Sequence, residues 1–172
     1  ALLKHPLVRS GADRLEWLEG VRTLDLALRG PRPAAGLSGV DRHLTNPDAR
    51  DQRLLADASR WWSSQRALFE PLASVAAAGP QPLSKLIAAI REGATLLAGD
   101  AAWARAEGRA AADLLTRLEE QAVHGPALVD PSAMPAMLRL LLDEIAVRPP
   151  QGGHPRLAIY GLLEARLQTA DL

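Results

Sequence analysis

The chain has 172 residues, carries 20 basic and 20 acidic side chains, and contains no cysteine. The balance of charge gives no electrostatic argument that the whole chain coats nucleic acid or an anionic membrane. The lack of cysteine excludes disulfides, cysteine-ligated zinc and cysteine-bound iron–sulfur clusters from this sequence. Ala and Leu dominate and only 3% of the residues are aromatic, so the composition favours packed helices in one domain.

The distribution of apolar residues argues against a membrane protein. No uninterrupted apolar run approaches the roughly 20 residues needed to cross a bilayer. Residues 1–6 lack the ordered charged, apolar and cleavage regions of a secretion signal. We therefore expect a soluble, cytoplasmic protein without a membrane partner.

The first predicted helix begins near Ser10 or Asp13, whose side chains can accept hydrogen bonds from free backbone amides, and ends at Gly30. Asp25 and Arg29 lie one turn apart and can form an ion pair. Apolar residues recur at three- and four-residue steps, which predicts one buried face: Leu15, Trp17, Leu18, Val21, Leu24 and Leu28.

Residues 34–47 are rich in Gly, Pro, Ser and Asn, a composition typical of a surface connection. Arg32, Arg42 and His43 lie in or beside this segment. They could contact a phosphate backbone or belong to a solvated loop, and the sequence leaves both interpretations open.

A second helix is predicted for residues 47–69. Trp61 and Trp62 are adjacent and point about 100° apart, so we expect one in the core and the other near its rim. Next to Arg60 and Arg66 they could form a stacking platform for single-stranded bases, or they could anchor a helical core.

Proline and glycine divide the rest of the helical region. Pro71 should kink or restart the helix, and Gly79 should end it. Another helix is predicted between Pro82 and Gly99, and a further one follows, which Gly108 could interrupt and which includes Val123 among its apolar positions.

The last predicted helix starts near Ser132. Its apolar residues follow at helical spacing and are typical of a core stripe: Met134, Met137, Leu138, Leu141, Leu142 and Ile145. Residues 148–153 are a Pro/Gly linker, and residues 157–160 fit a short buried strand. The sequence thus predicts an all-α domain over residues 1–147, mainly a helical bundle, and a short β/turn segment over residues 154–172, which we expect to continue beyond this chain.

The sequence contains no recognisable motif for catalysis, metal binding or nucleotide binding. His5, His43, His124 and His154 are widely spaced, and none has a second ligand candidate one helical turn away. No phosphate-binding loop, dinucleotide fingerprint or nucleophile elbow occurs. We expect no catalytic residue, cofactor or metal ligand in this sequence.

Residues 154–172, HPRLAIYGLLEARLQTADL, resemble a segment of the AddB family in its proteobacterial form. AddB proteins are the second subunits of the AddAB helicase–nucleases that repair DNA double-strand breaks. Residues 2–9, 17–22 and 24–33 also resemble this family, in the same order.

The resemblance implies that residues 1–147 correspond to the helical 2B-like region of a superfamily 1 helicase module, and that residues 154–172 begin its core. The lysine of the active helicase motif is absent from this tail, which argues against ATP-driven motor activity by the segment. ATP, Mg²⁺ and an iron–sulfur cluster would belong to other parts of the complex.

The resemblance also implies DNA and an AddA-like subunit as partners. His154, Arg156 and Arg166 are the candidate DNA-contacting residues, although Arg156 could equally pair with an acidic neighbour. One alternative is a pure protein-interaction domain that docks AddA and never contacts DNA. Another is an unrelated helical enzyme with a concealed active site.

Overall fold

The computed structural model describes residues 2–46 and 50–147. These residues form seven α-helices: α1 (Arg14–Ala27), α2 (Leu37–Leu44), α3 (Gln52–Gln65), α4 (Glu70–Ala77), α5 (Leu83–Ala98), α6 (Arg105–Gln121) and α7 (Met134–Asp143). Within the described ranges the chain is all-α, as predicted, and extended pairing is limited to one antiparallel bridge between Gln81 and Val129. No helix in this part of the chain has the length and apolar character needed to cross a membrane.

The predicted linker at residues 148–153 and the predicted β/turn segment at residues 154–172 lie outside the described residues. The division of the chain into a helical domain, a linker and a helicase-like segment therefore stays a prediction.

The N-terminal half of the bundle is built from α1, α2 and α3, with α1 packed closely along α3. Its buried apolar residues come from all three helices: Leu24, Ala27, Leu44, Leu55, Ala58 and Trp62. Burying these side chains removes apolar surface from water and holds the three helices together.

On α1, the predicted buried face is correct except at its beginning. Trp17, Val21 and Leu24 are buried, whereas the side chain of Leu15 is 77% exposed. Leu15 precedes Trp17 by two residues and so points about 200° away from it around the helix. The three-residue step from Leu15 to Leu18 predicts that Leu15 lies on the buried face, but its angular position on α1 turns it towards solvent.

The prediction of a surface connection over residues 34–47 is wrong, because α2 occupies most of that segment. Leu37, Val40 and Leu44 follow at three- and four-residue steps, and all three pack in the core of the N-terminal half. Tertiary burial of this short apolar face outweighs the low helix propensity of the surrounding Gly and Ser residues.

Helix α3 begins later than predicted, at Gln52, and residues 47–49 lie outside the described ranges. The Asp51 side chain caps the helix by accepting a hydrogen bond of 2.9 Å from the Leu54 backbone amide. After α3, a 3₁₀ turn over Arg66–Phe69 leads into α4, whose first turn contains Pro71. The predicted restart at Pro71 is confirmed, since proline tolerates the first helical turn.

The C-terminal half of the bundle is centred on α5, which packs against α4 and α6. Its core contains Leu86, Ile87, Leu115 and Met134. Helix α6 passes through Gly108 without the interruption that was considered from the sequence. A Cβ at that position would lie 2.6 Å from the Trp103 carbonyl carbon, so glycine allows the backbone to approach closely there.

The last helix, α7, packs only part of its apolar stripe. Met134 is buried, and Met137 and Leu138 contact the same core. Leu142, predicted as a core position, is exposed, and so is Val123 in the 3₁₀ turn after α6.

A 3₁₀ turn over Pro131–Ala133 precedes α7, and the Asp130 side chain caps this turn. Asp130 accepts a hydrogen bond of 2.8 Å from the Ser132 amide. Because this bond favours the charged carboxylate, it lowers the pKa of the Asp130 carboxyl.

A third group of buried residues joins the two halves: Val8, Trp17, Val21 and Leu97. Leu97, near the end of α5, packs against α1 and the N-terminal segment, and its carbonyl accepts a hydrogen bond of 3.1 Å from the Arg9 amide. The Trp17 indole N–H donates to the Leu3 carbonyl at 2.9 Å. The N-terminal segment is therefore an integral part of the packed structure.

Candidate functional site

The residues predicted from the resemblance to contact DNA are His154, Arg156 and Arg166. All three lie outside the described residues. Their roles stay predictions, and any binding site on the described helices has to be built from other side chains.

The adjacent tryptophans divide between core and rim, as predicted. Trp62 is buried, with 6% of its surface exposed, and its ring stacks on Phe69 at a centroid distance of 5.4 Å. Trp61 is partly buried and meets the edge of Trp17 at 5.1 Å. The pair therefore anchors the core, and the interpretation of Trp62 as a stacking surface for bases is wrong.

The arginines beside these tryptophans are also engaged within the fold. Arg60 forms an ion pair with Asp57. Arg66 donates to Asp41 at 3.1 Å and to Glu70 at 2.8 Å. These ion pairs compensate both guanidinium groups, which weakens any attraction of this face for a phosphate.

A more promising surface lies where α1 ends, α2 ends and α3 begins. Two open depressions of about 520 Å³ and about 480 Å³ adjoin there, and both are lined by Pro31, His43 and Asn46. Arg29 and Arg50 line the larger depression, and Arg32 and Arg42 line the smaller one. We call this surface, defined by Arg29, Arg32, Arg42, His43 and Arg50, the basic cleft.

Hydrogen bonds that connect α1, α2 and α3 stabilise the backbone at the floor of the basic cleft. The His43 ring lies across the end of α1, with its Nε2 atom 2.9 Å from the Ala27 carbonyl oxygen. Because a carbonyl can only accept, Nε2 carries the proton in this arrangement. The Gln52 side chain donates to the Asn46 carbonyl at 3.1 Å, which connects the start of α3 to the end of α2.

Two acidic residues near the basic cleft, Asp25 and Asp51, already have partners within the described part of the fold. Lys4 donates to Asp25 at 3.2 Å, and Arg29 lies 3.6 Å from the same carboxylate oxygen. The hydrogen bond from Lys4 is the main reason why the pKa of Asp25 is lowered, and the neighbouring Arg29 lowers that pKa further. Asp51, at the mouth of the larger depression, uses its carboxylate to cap α3.

Three arginines of the basic cleft have no carboxylate partner within residues 2–46 and 50–147. Arg32, Arg42 and Arg50 are exposed and form no ion pair with another described residue. Arg42 makes one contact within its own helix, where Nε lies 3.4 Å from the Ser38 carbonyl oxygen. Their guanidinium groups keep free donors, and this arrangement can bind anionic groups without covalent chemistry.

The sequence pattern predicts only part of the basic cleft. Arg32, Arg42 and His43 cluster in a segment with loop composition, which makes them candidates for phosphate contacts. The sequence indicates Arg29 only as the partner of Asp25, and it places Arg50 inside a predicted helix. The spacing of arginines on both sides of residues 34–47 was the available signal, but only the packing of α2 brings them to one surface.

Comparisons of this chain with protein-family models, with curated proteins and with solved structures found no match. The resemblance to the AddB family thus depends on the sequence ranges given above, and the function that it implies is a proposal.

Proposed function

We propose that this chain is a non-catalytic helical scaffold within an AddB-like subunit of an ATP-dependent helicase–exonuclease that repairs DNA double-strand breaks. It helps to hold DNA and an AddA-like partner subunit. The observation that carries the proposal is the resemblance of residues 154–172, together with the N-terminal ranges that match in the same order. In the parent complex, ATP, Mg²⁺ and an iron–sulfur cluster would be bound by other parts.

The packing of the N-terminal ranges supports a scaffold role. Val8 and Trp17 lie within the resembling ranges, and both are buried in the group that joins the two halves of the bundle. Residues that build such a junction keep surrounding surfaces in a defined relative position. A subunit that positions DNA and a partner subunit needs binding surfaces whose relative position is fixed before binding.

A second candidate function is a pure protein-interaction domain, and the exposed apolar residues of the C-terminal half favour it. Several large apolar side chains are exposed in or before α7: Val123, Leu128, Leu140 and Leu142. Of these residues, Leu140 lines an open depression on α7 together with Pro135 and Ala136, and an exposed apolar surface of this kind can serve as a docking site. In this alternative, the chain docks an AddA-like subunit through apolar contacts and makes no contact with DNA.

Co-purification with an AddA-like subunit tests the proposal. The tagged 172-residue chain is expected to co-elute with a proteobacterial AddA-like subunit, and the complex is expected to bind DNA more tightly than AddA alone. Replacing Arg156 and Arg166 by Gln should weaken this gain in DNA binding. The control is the Arg109→Gln, Arg117→Gln variant, which removes the same charge from exposed positions of α6.

The dependence of binding on salt concentration distinguishes the two candidate functions. Contacts with backbone phosphates weaken steeply as salt rises, whereas apolar docking does not. Co-elution that survives high salt, is abolished in Leu140→Asp and brings no gain in DNA affinity would favour the protein-interaction domain. Absence of co-elution would contradict both candidates.

A further inference from the structure

The basic cleft concentrates positive charge in a chain whose formal net charge is zero. Arg29, Arg32, Arg42 and Arg50 surround two adjoining depressions. Among the described residues near the cleft, the Asp25 carboxylate accepts from Lys4 and the Asp51 carboxylate caps α3. We propose that the basic cleft binds the phosphate backbone of a DNA strand. The choice of DNA over other anionic polymers rests on the proposed function.

The chemistry of guanidinium groups favours phosphate as the ligand. Each arginine presents several N–H donors in a planar fork that matches two phosphate oxygens. In the cleft, Arg32 and Arg50 make no hydrogen bond to a described residue, and Arg42 contacts only a carbonyl of its own helix turn. Their donors are therefore available to an incoming ligand without breaking an ion pair in the fold.

The form of the cleft favours a polymer over a small anion. The four arginines lie around the edges of two shallow depressions, and all four are exposed. A small anion is usually held by donors that converge on one sheltered point. Groups spread over an open surface can instead contact several phosphates of one strand.

The backbone below the cleft sets where the phosphates can lie. Helices α1 and α2 both end here, and helix C-termini carry partial negative charge. The Nε2–H of His43 satisfies one of these carbonyls, that of Ala27. An anion is thus disfavoured at the floor and favoured at the rim, which the long arginine side chains reach.

Fluorescence anisotropy with the complete 172-residue chain tests the assignment. The probes are a labelled single-stranded oligonucleotide and a duplex of the same sequence, each titrated across a range of salt concentrations. The test variant replaces Arg32 and Arg42 by Gln. The control variant replaces Arg109 and Arg117 on α6 by Gln; these are also exposed and form no ion pair with a described residue.

The wild-type chain is expected to bind at least one of the two probes. In the cleft variant, the dissociation constant should rise on the order of tenfold near physiological salt, because two guanidinium–phosphate pairs no longer form. The slope of log affinity against log salt should fall by about 0.7 for each arginine–phosphate pair removed on the single strand, or about 0.9 on the duplex. The control variant should match the wild type, and circular dichroism should show equal helicity for all three proteins.

Equal affinities of the cleft and control variants would overturn the assignment, as would a wild-type chain that binds neither probe. The assignment would also be overturned if polyglutamate competed as effectively as unlabelled DNA. The cleft would then bind any polyanion through its charge and would not select phosphate. Any of these results would leave the proposed function standing if the chain still co-elutes with AddA and the complex still binds DNA more tightly than AddA alone. DNA binding through the cleft without co-elution would instead contradict the proposed function alone.

Discussion

Asp41 connects α2 to the end of α3 through two polar contacts. Its Oδ1 accepts from the Trp62 indole N–H at 2.6 Å, and its Oδ2 accepts from Arg66 Nε at 3.1 Å. Trp62 is buried, so its indole N–H depends on this carboxylate for a partner. A buried donor without an acceptor costs more free energy than the hydrogen bond itself contributes.

Asp41→Ala is expected to lower the free energy of unfolding by about 1–3 kcal/mol, because the buried Trp62 donor loses its acceptor. Asp41→Asn is the matched control, since its amide oxygen can still accept from the indole. Urea denaturation followed by circular dichroism measures both variants. If Asp41→Asn costs as much as Asp41→Ala, the ion pair with Arg66 rather than the indole contact carries the effect.

The close approach of α1 and α3 depends on Gly20. A Cβ at this position would overlap the Trp61 indole ring, which is itself packed against the edge of Trp17. Glycine in a helix interior costs roughly 1 kcal/mol relative to alanine, so its presence in α1 has to be offset by packing. The contact between the Trp61 ring and the bare backbone supplies that compensation.

Gly20→Ala is expected to destabilise the fold by about 1–3 kcal/mol, because the indole of Trp61 must move away from its position against Trp17. In a Trp61→Ala background the obstruction is gone, and Gly20→Ala should become neutral or stabilising by up to about 1 kcal/mol. Denaturant titration of the four-member mutant cycle measures this coupling.

Gly11→Ala serves as the control, because an added Cβ there meets no atom within 4 Å. A Gly20→Ala effect of equal size and sign in both backgrounds would show that Trp61 is not the obstruction.

At the scale of the whole molecule, the described residues form two packed halves that are joined at the end of α5. Leu97 packs with Trp17 and Val21 of α1, although α5 is the central helix of the other half. The Arg9–Leu97 backbone hydrogen bond reinforces the same junction. Because apolar burial continues across this junction, we expect the described bundle to unfold as one cooperative unit.

The positions of the tryptophans allow this cooperativity to be tested. Of the four tryptophans, Trp17, Trp61 and Trp62 lie in the N-terminal half and Trp103 packs in the other. In Trp103→Phe, fluorescence reports only the N-terminal half, while circular dichroism reports helices of both. The two denaturation curves should coincide, whereas separate midpoints would show that the halves unfold independently.

The boundaries of most helices and the division of the tryptophan pair could be predicted from the sequence. The helix ends near Gly30, Gly79 and Gly99 and the restart at Pro71 follow from backbone restrictions of single residues, which act wherever the chain folds. Likewise, adjacent residues on a helix must point in different directions, so the two tryptophans could not both face the centre of the core.

Helix α2 and the exposure of Leu15 could not be predicted in the same way. The composition of residues 34–47 is that of a loop, and α2 exists because Leu37, Val40 and Leu44 find a core contributed by α1 and α3. Two of the four arginines of the basic cleft could not be predicted for a related reason, since Arg29 and Arg50 join Arg32 and Arg42 only when α2 folds between them.

The sequence by itself determined the all-α class, the positions where most helices stop and the resemblance that motivates the proposed function, because each depends on local residue chemistry or on an uninterrupted string of residues. Only the tertiary structure decided which apolar side chains are buried, which arginines form ion pairs and where the arginines without an ion-pair partner among the described residues lie. Those outcomes depend on contacts between residues distant in the chain, which no local pattern specifies.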